Sequence, residues 1–66
     1  MKVHVLAISK NIFLRDLIFN KGVKEYGFAP YDGGEILPIT FESKLDAILF
    51  QKEEKLNYCK IIETEI

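Results

Sequence analysis

Nucleophile-and-base chemistry has two residues to draw on in this 66-residue chain, its one cysteine, Cys59, and its one histidine, His4. A thiolate beside an imidazole would need both in an accessible, electropositive setting. His4 sits between Val3 and Val5, and Cys59 lies between apolar and strand-forming neighbours, with no helix start beside either. Core packing is therefore the expected role of both. Acid chemistry has one local candidate, Asp32 and Glu35 around the Gly33-Gly34 pair. Two carboxylates supply far fewer oxygens than the six to eight or so that calcium takes, so a solvated turn is the reading of choice. The double glycine lacks the Lys-Ser/Thr ending of a phosphate loop. One cysteine and one histidine cannot furnish a Cys/His zinc site. The residue set thus points to no catalytic centre, no cofactor and no metal site, and the expectation is a protein that is not an enzyme.

Recognition chemistry has more material. On a helical wheel with Leu45 at zero, Phe50 falls near 140°, between Asp46 near 100° and Glu54 near 180°. That pattern places an aromatic ring on a charged outer face. An aromatic anchor ringed by acids is a hot-spot arrangement, in which the ring inserts and the charges set register. The expected partner-binding patch is Phe50 with Asp46, Glu53 and Glu54, extended by Glu63 and Glu65, which alternate onto one side of a final strand. Nucleic-acid binding would instead use Lys2, Lys10, Arg15, Lys21 and Lys24, with Tyr26 or Phe28 stacking on bases. Asp16 and Glu25 dilute this set, so it is the alternative rather than the leading reading.

The elements that must hold these residues follow from pattern. Val3 to Ile8 is β-prone and apolar on both faces, which predicts a central strand. Residues 12 to 19 read as helix or strand; the strand is favoured because Asn20-Lys21-Gly22 makes a three-residue turn into Val23-Lys24-Glu25-Tyr26. Ala29 to Gly34 is turn chemistry, and Glu35 to Phe41 reads as a strand that Pro38 confines to an edge. Such an edge is a docking route for a partner strand, and homodimerisation through it or through the first strand is open. Ser43 followed by Asp46 resembles a capping box and starts a helix over about 44 to 56, with Leu45, Ile48, Leu49 and Leu56 on its inner face and Asn57 as its stop. Residues 58 to 65 form the last strand. The predicted fold is α+β: one domain over 1–66, a small, mainly antiparallel sheet of three to five strands with one principal helix packed on one face.

Size and composition bound what this body can do. A domain of this length buries only about 60% of its unfolded surface. With 48% hydrophobic residues, part of the apolar surface is expected to face another protein. The formal net charge of -1 steers the chain to neither nucleic acid nor membrane. No apolar run reaches the roughly 18 residues of a membrane span, the start makes a poor signal peptide, and an unpaired cysteine suits a reducing compartment, so a cytoplasmic setting is expected. In length, lysine and isoleucine content and lack of catalytic residues, the chain is similar to small accessory proteins of phages and mobile elements. That resemblance implies a module that binds and blocks a host protein stoichiometrically.

Overall fold

The computed structural model describes all 66 residues. Strand β1 covers Lys2–Ser9, β2 Ile12–Asn20 and β3 Val23–Pro30; helix α1 covers Lys44–Glu53 and strand β4 Lys60–Glu65. The sheet runs β3-β2-β1-β4, and every neighbouring pair is antiparallel. This is an α+β fold, with β1 in the interior of the sheet as its two-sided apolar pattern requires.

The two faces of β1 feed two cores. Val3, Val5 and Ala7 join Phe13 on one face, where Tyr31, Ile62 and Ile66 close over them. Leu6 joins Leu14, Leu56 and Cys59 on the other, packed by Phe28, Ile39, Phe41, Phe50 and Ile61. The second core is the one the helix covers. Ten of the 66 residues are buried, so this thin interior leaves much apolar surface outside.

Residues 12 to 19 are strand. The turn that follows has two residues rather than three: Asn20 pairs with Val23, and Lys21 and Gly22 take φ of 53° and 79°. Positive φ at both centres is the type I′ geometry whose twist matches the flanking strands. The β1–β2 turn at Lys10 and Asn11 has no positive φ. A turn of that kind splays its strands, and β1 and β2 pair only at Ala7–Phe13 and Ser9–Ile12, with a register shift at Ile8.

Into the opening comes the segment expected as an edge strand. Ile39 N–H donates to the Leu14 carbonyl at 2.9 Å, while Phe41 exchanges both backbone bonds with His4 at 2.8 and 2.9 Å. Residues 39 to 41 are thus a wedge inside the sheet, entered through buried Pro38, with only Phe41 forming a bridge, while residues 35 to 37 stay exposed. Proline lacks the N–H a ladder would need, which suits a segment that bonds at isolated points.

The helix begins as predicted, with Ser43 Oγ accepting from Asp46 N–H at 3.1 Å. It ends three residues early. Leu56 N–H donates to the Gln51 carbonyl and Lys55 N–H to that of Lys52, with Lys55 at φ 59°. This is a Schellman stop with lysine in the left-handed position usually held by glycine. Leu56 therefore lies beyond the helix and drops into the core beside Phe50.

Candidate docking surface

Tethers to other elements fix which side of α1 turns inward. Ala47 is buried, Phe50 packs on Phe41 with ring centroids 5.2 Å apart, Gln51 Nε2 donates to the Cys59 carbonyl at 2.7 Å, and Glu54 is held by β3. These four lie within about 100° of arc on the wheel, centred opposite Leu45. The helix is consequently rotated about half a turn from the predicted orientation. Leu45 is 63% exposed and Leu49 55%, with Ile48 half-buried beside them. The face expected to be core is the outer face.

Phe50 accordingly does not stand on a charged exterior: it is half-buried and belongs to the helix-side core. Asp46 and Glu53 are exposed, as are Glu63 and Glu65. Glu54 is not a free acid. Tyr26 OH donates to Glu54 Oε1 at 2.6 Å and Lys24 Nζ lies 3.0 Å from the same oxygen, leaving the Glu54 side chain 11% exposed. The Tyr26 hydroxyl first, and then Lys24, hold the Glu54 carboxyl below its usual range. The same hydrogen bond, with burial assisting, pushes Tyr26 up to about 12. Glu63 Oε2 sits 3.8 Å from His4 Nε2, and Glu65 pairs with the Met1 amino group at 2.9 Å. The six predicted residues therefore divide: Asp46 and Glu53 flank the exposed helix strip, Phe50 and Glu54 are structural, and Glu63 and Glu65 lie apart on β4.

The cations of the first half are dispersed. Lys10 and Lys21 occupy the turns at opposite ends of β2, Arg15 pairs with Asp16 at 3.2 Å, Lys24 is spent on Glu54, and Lys2 lies across from Glu65. Tyr26 and Phe28 are half-buried; Phe28 stacks obliquely on Tyr58 at 6.3 Å. Cys59 is buried, and burial pushes its thiol up. Register puts Lys60, its neighbour, opposite Ala7, so His4 lies about four strand residues away, or about 13 Å. The larger of two surface hollows, about 310 Å³, is lined by Ala7, Ile8, Ser9, Lys10, Lys60 and Ile62 and touches neither His4 nor Cys59. Asp32 spends one oxygen on Gly34 N–H at 3.0 Å, closing its own turn.

A second exposed apolar group lies on the β2–β3 ribbon, where Phe19 is 66% exposed beside Leu17, Ile18 and Val23. Pairing puts Leu17 and Phe19 on the face of Tyr26 and Lys24, and Ile18 on the opposite face with Glu25. The ribbon thus divides its apolar area between two sides, whereas Leu45 and Leu49 stand one turn apart on a single side of a rigid element. Sequence reasoning passed over this strip as a docking face. No local signal marks it: Gln51 to Lys55 are all residues that favour helix, so nothing before Asn57 announces the stop. No helix is long and apolar enough to cross a membrane. The chain matches no protein-family model, no curated protein and no solved structure.

Proposed function

We propose that this chain is a non-enzymatic protein-binding module that acts stoichiometrically on a protein partner. The orientation of α1 supports this: a helix that turns Ala47 and Phe50 inward leaves Leu45 and Leu49 on its exposed side, available to something outside the chain. The contact surface is Leu45, Ile48 and Leu49, bordered by Asp46 and Glu53. Exposed acids at the rim set register and partner choice, while the leucines supply the buried centre. The finer reading is an inhibitor of the phage or mobile-element type, which occludes the host protein it holds.

The test is affinity capture with tagged wild type and with Leu45→Asp/Leu49→Asp, after circular dichroism and thermal melting have established that both fold alike. A protein retained at equal proportion by wild type and lost by the variant supports the reading. Retention by both, or recovery only of nucleic-acid-dependent material that nuclease removes, refutes it.

A further inference from the structure

Beyond Leu14, β2 pairs with β3 alone, and the nine residues from Leu17 to Glu25 are all exposed. This end of the hairpin is a free two-stranded ribbon, with neither face covered by the rest of the chain. Its apolar side chains are shared between the faces. Leu17 and Phe19 stand on the face of Tyr26 and Lys24, while Ile18 and Val23 stand on the other, paired with Glu25 and Asn20. Ile18, Phe19 and Val23 are each more than half exposed. At the apex is Lys21, held at φ 53° in the type I′ turn and absent from the ion pairs the chain makes, which are Met1–Glu65, His4–Glu63, Arg15–Asp16 and Lys24–Glu54.

We infer that this ribbon end is a finger that enters a cleft on a protein partner, with apolar walls against both faces and a carboxylate at the floor for Lys21. A flat partner covers one face of a ribbon and leaves the apolar side chains of the other in water. Only an occupant that closes on both sides buries all of them. Each wall stands about 10 Å from the ribbon, the ordinary spacing of packed layers. The tight turn presents the finger already formed, so little ordering is lost on entry.

The apex charge selects what surrounds the finger. A lipid layer also closes around an inserted hairpin, but here the lysine leads and the apolar residues follow, so insertion carries an ammonium deepest into the apolar region. Nucleic acid offers phosphates to Lys21, yet it sets the same phosphates against Glu25 and has no apolar walls. A second copy lacks the room: the hollows in this chain's own surface, about 310 and 270 Å³, are of small-ligand size and cannot enclose two strands. A protein cleft supplies apolar walls and a fixed carboxylate together, and the charge pair made at its floor sets register and partner choice. This contact is additional to the α1 strip and is read separately from it.

Photo-cross-linking from both faces tests this. The full chain, with p-benzoylphenylalanine in place of Ile18 or of Phe19, is irradiated in lysate of its native cell, and the adducts are read by mass spectrometry. Because Ile18 and Phe19 point to opposite faces, the expected result is the same protein joined from both, at two different segments of it. Carbodiimide is expected to join Lys21 to an aspartate or glutamate of that protein. Lys21→Glu, which breaks no ion pair within the chain, is expected to lower both photo-adduct yields by about tenfold or more with the melting temperature unchanged. Adducts from one position alone mean a flat contact and overturn the inference, as do adducts from neither. Flotation of the chain with anionic phospholipid vesicles, or adducts that nuclease removes, overturns the choice of a protein cleft. If Leu45→Asp/Leu49→Asp abolishes capture while neither ribbon position yields an adduct, the finger fails and the α1 docking surface stands.

Discussion

Tyr26 and Glu54, one on β3 and the other capping α1, meet at 2.6 Å, and their hydrogen bond with the nearby Lys24 ties the end of the helix to the outer strand of the sheet. A neutral phenol donating to an ionised carboxylate favours exactly one proton arrangement, so the contact is sensitive to pH from both sides.

At the alkaline end, Tyr26 holds its proton more tightly in the folded chain, with a value raised from 10.0 to about 12. Its contribution is complete below pH 10.0 and is lost as pH rises toward 12. At the acid end, Glu54 is depressed below its ordinary 4.5, so its contribution is present above that value and is lost as pH falls beneath it. Thermal melts across pH are expected to show both limbs. Tyr26→Phe should lower the melting temperature at neutral pH and flatten the alkaline limb; an alkaline limb unchanged in that variant would show that another group carries it.

Lys55 holds the left-handed position of the helix stop at φ 59°. An L-residue there is strained by about 1–2 kcal/mol, and glycine is not. Lys55→Gly is expected to stabilise the fold by about 1 kcal/mol, raising the melting temperature by roughly 4–8 °C. Lys21→Asn in the type I′ turn should act in the same direction by a smaller amount, measured by urea denaturation.

Phe50 and Leu49 are adjacent in sequence and opposite in role. Phe50→Ala removes a half-buried ring from Phe41 and should cost about 2 kcal/mol. Leu49→Ala touches an exposed side chain and should fall within about 0.5 kcal/mol of wild type. Equal losses in chemical denaturation would mean that the helix is not rotated as described.

Cys59 should resist alkylation in the native chain, because the thiol is buried and its ionisation is disfavoured. Labelling by a maleimide or a disulfide reagent is expected to track unfolding by denaturant. Fast labelling of folded protein would place the thiol at the surface.

Much of this architecture is legible in the residues. A run apolar on both faces from Val3 to Ile8 marks an interior strand, and Ser43 with Asp46 marks the helix start, because both signals are local. The orientation of α1 is not legible, since a wheel shows which residues share a face and not which face turns in. That choice is made by distant tethers, Phe41 to Phe50, the Cys59 carbonyl to Gln51 and Tyr26 to Glu54. Leu56 does not belong on that wheel, because the stop at Lys55 sends it inward independently of the helix face. The wedge at 39 to 41 was hidden for a related reason: it fills a gap that exists only because the Lys10–Asn11 turn splays β1 from β2.

The antiparallel pairing of β1 with β4 sets Lys2 opposite Glu65, almost the whole chain apart. That sequence separation predicts an order of folding. The β2–β3 hairpin and α1 close through near neighbours and can form first, whereas β4 docks only after the chain has paid the entropy of bringing its ends together. A circular permutant that joins residue 66 to residue 1 through a short glycine linker and opens at Lys21–Gly22 turns that remote contact into a hairpin and makes the β2–β3 pairing remote instead. Stopped-flow refolding of the permutant should reveal a changed transition state, with β1–β4 contacts forming early where in the parent chain they form late.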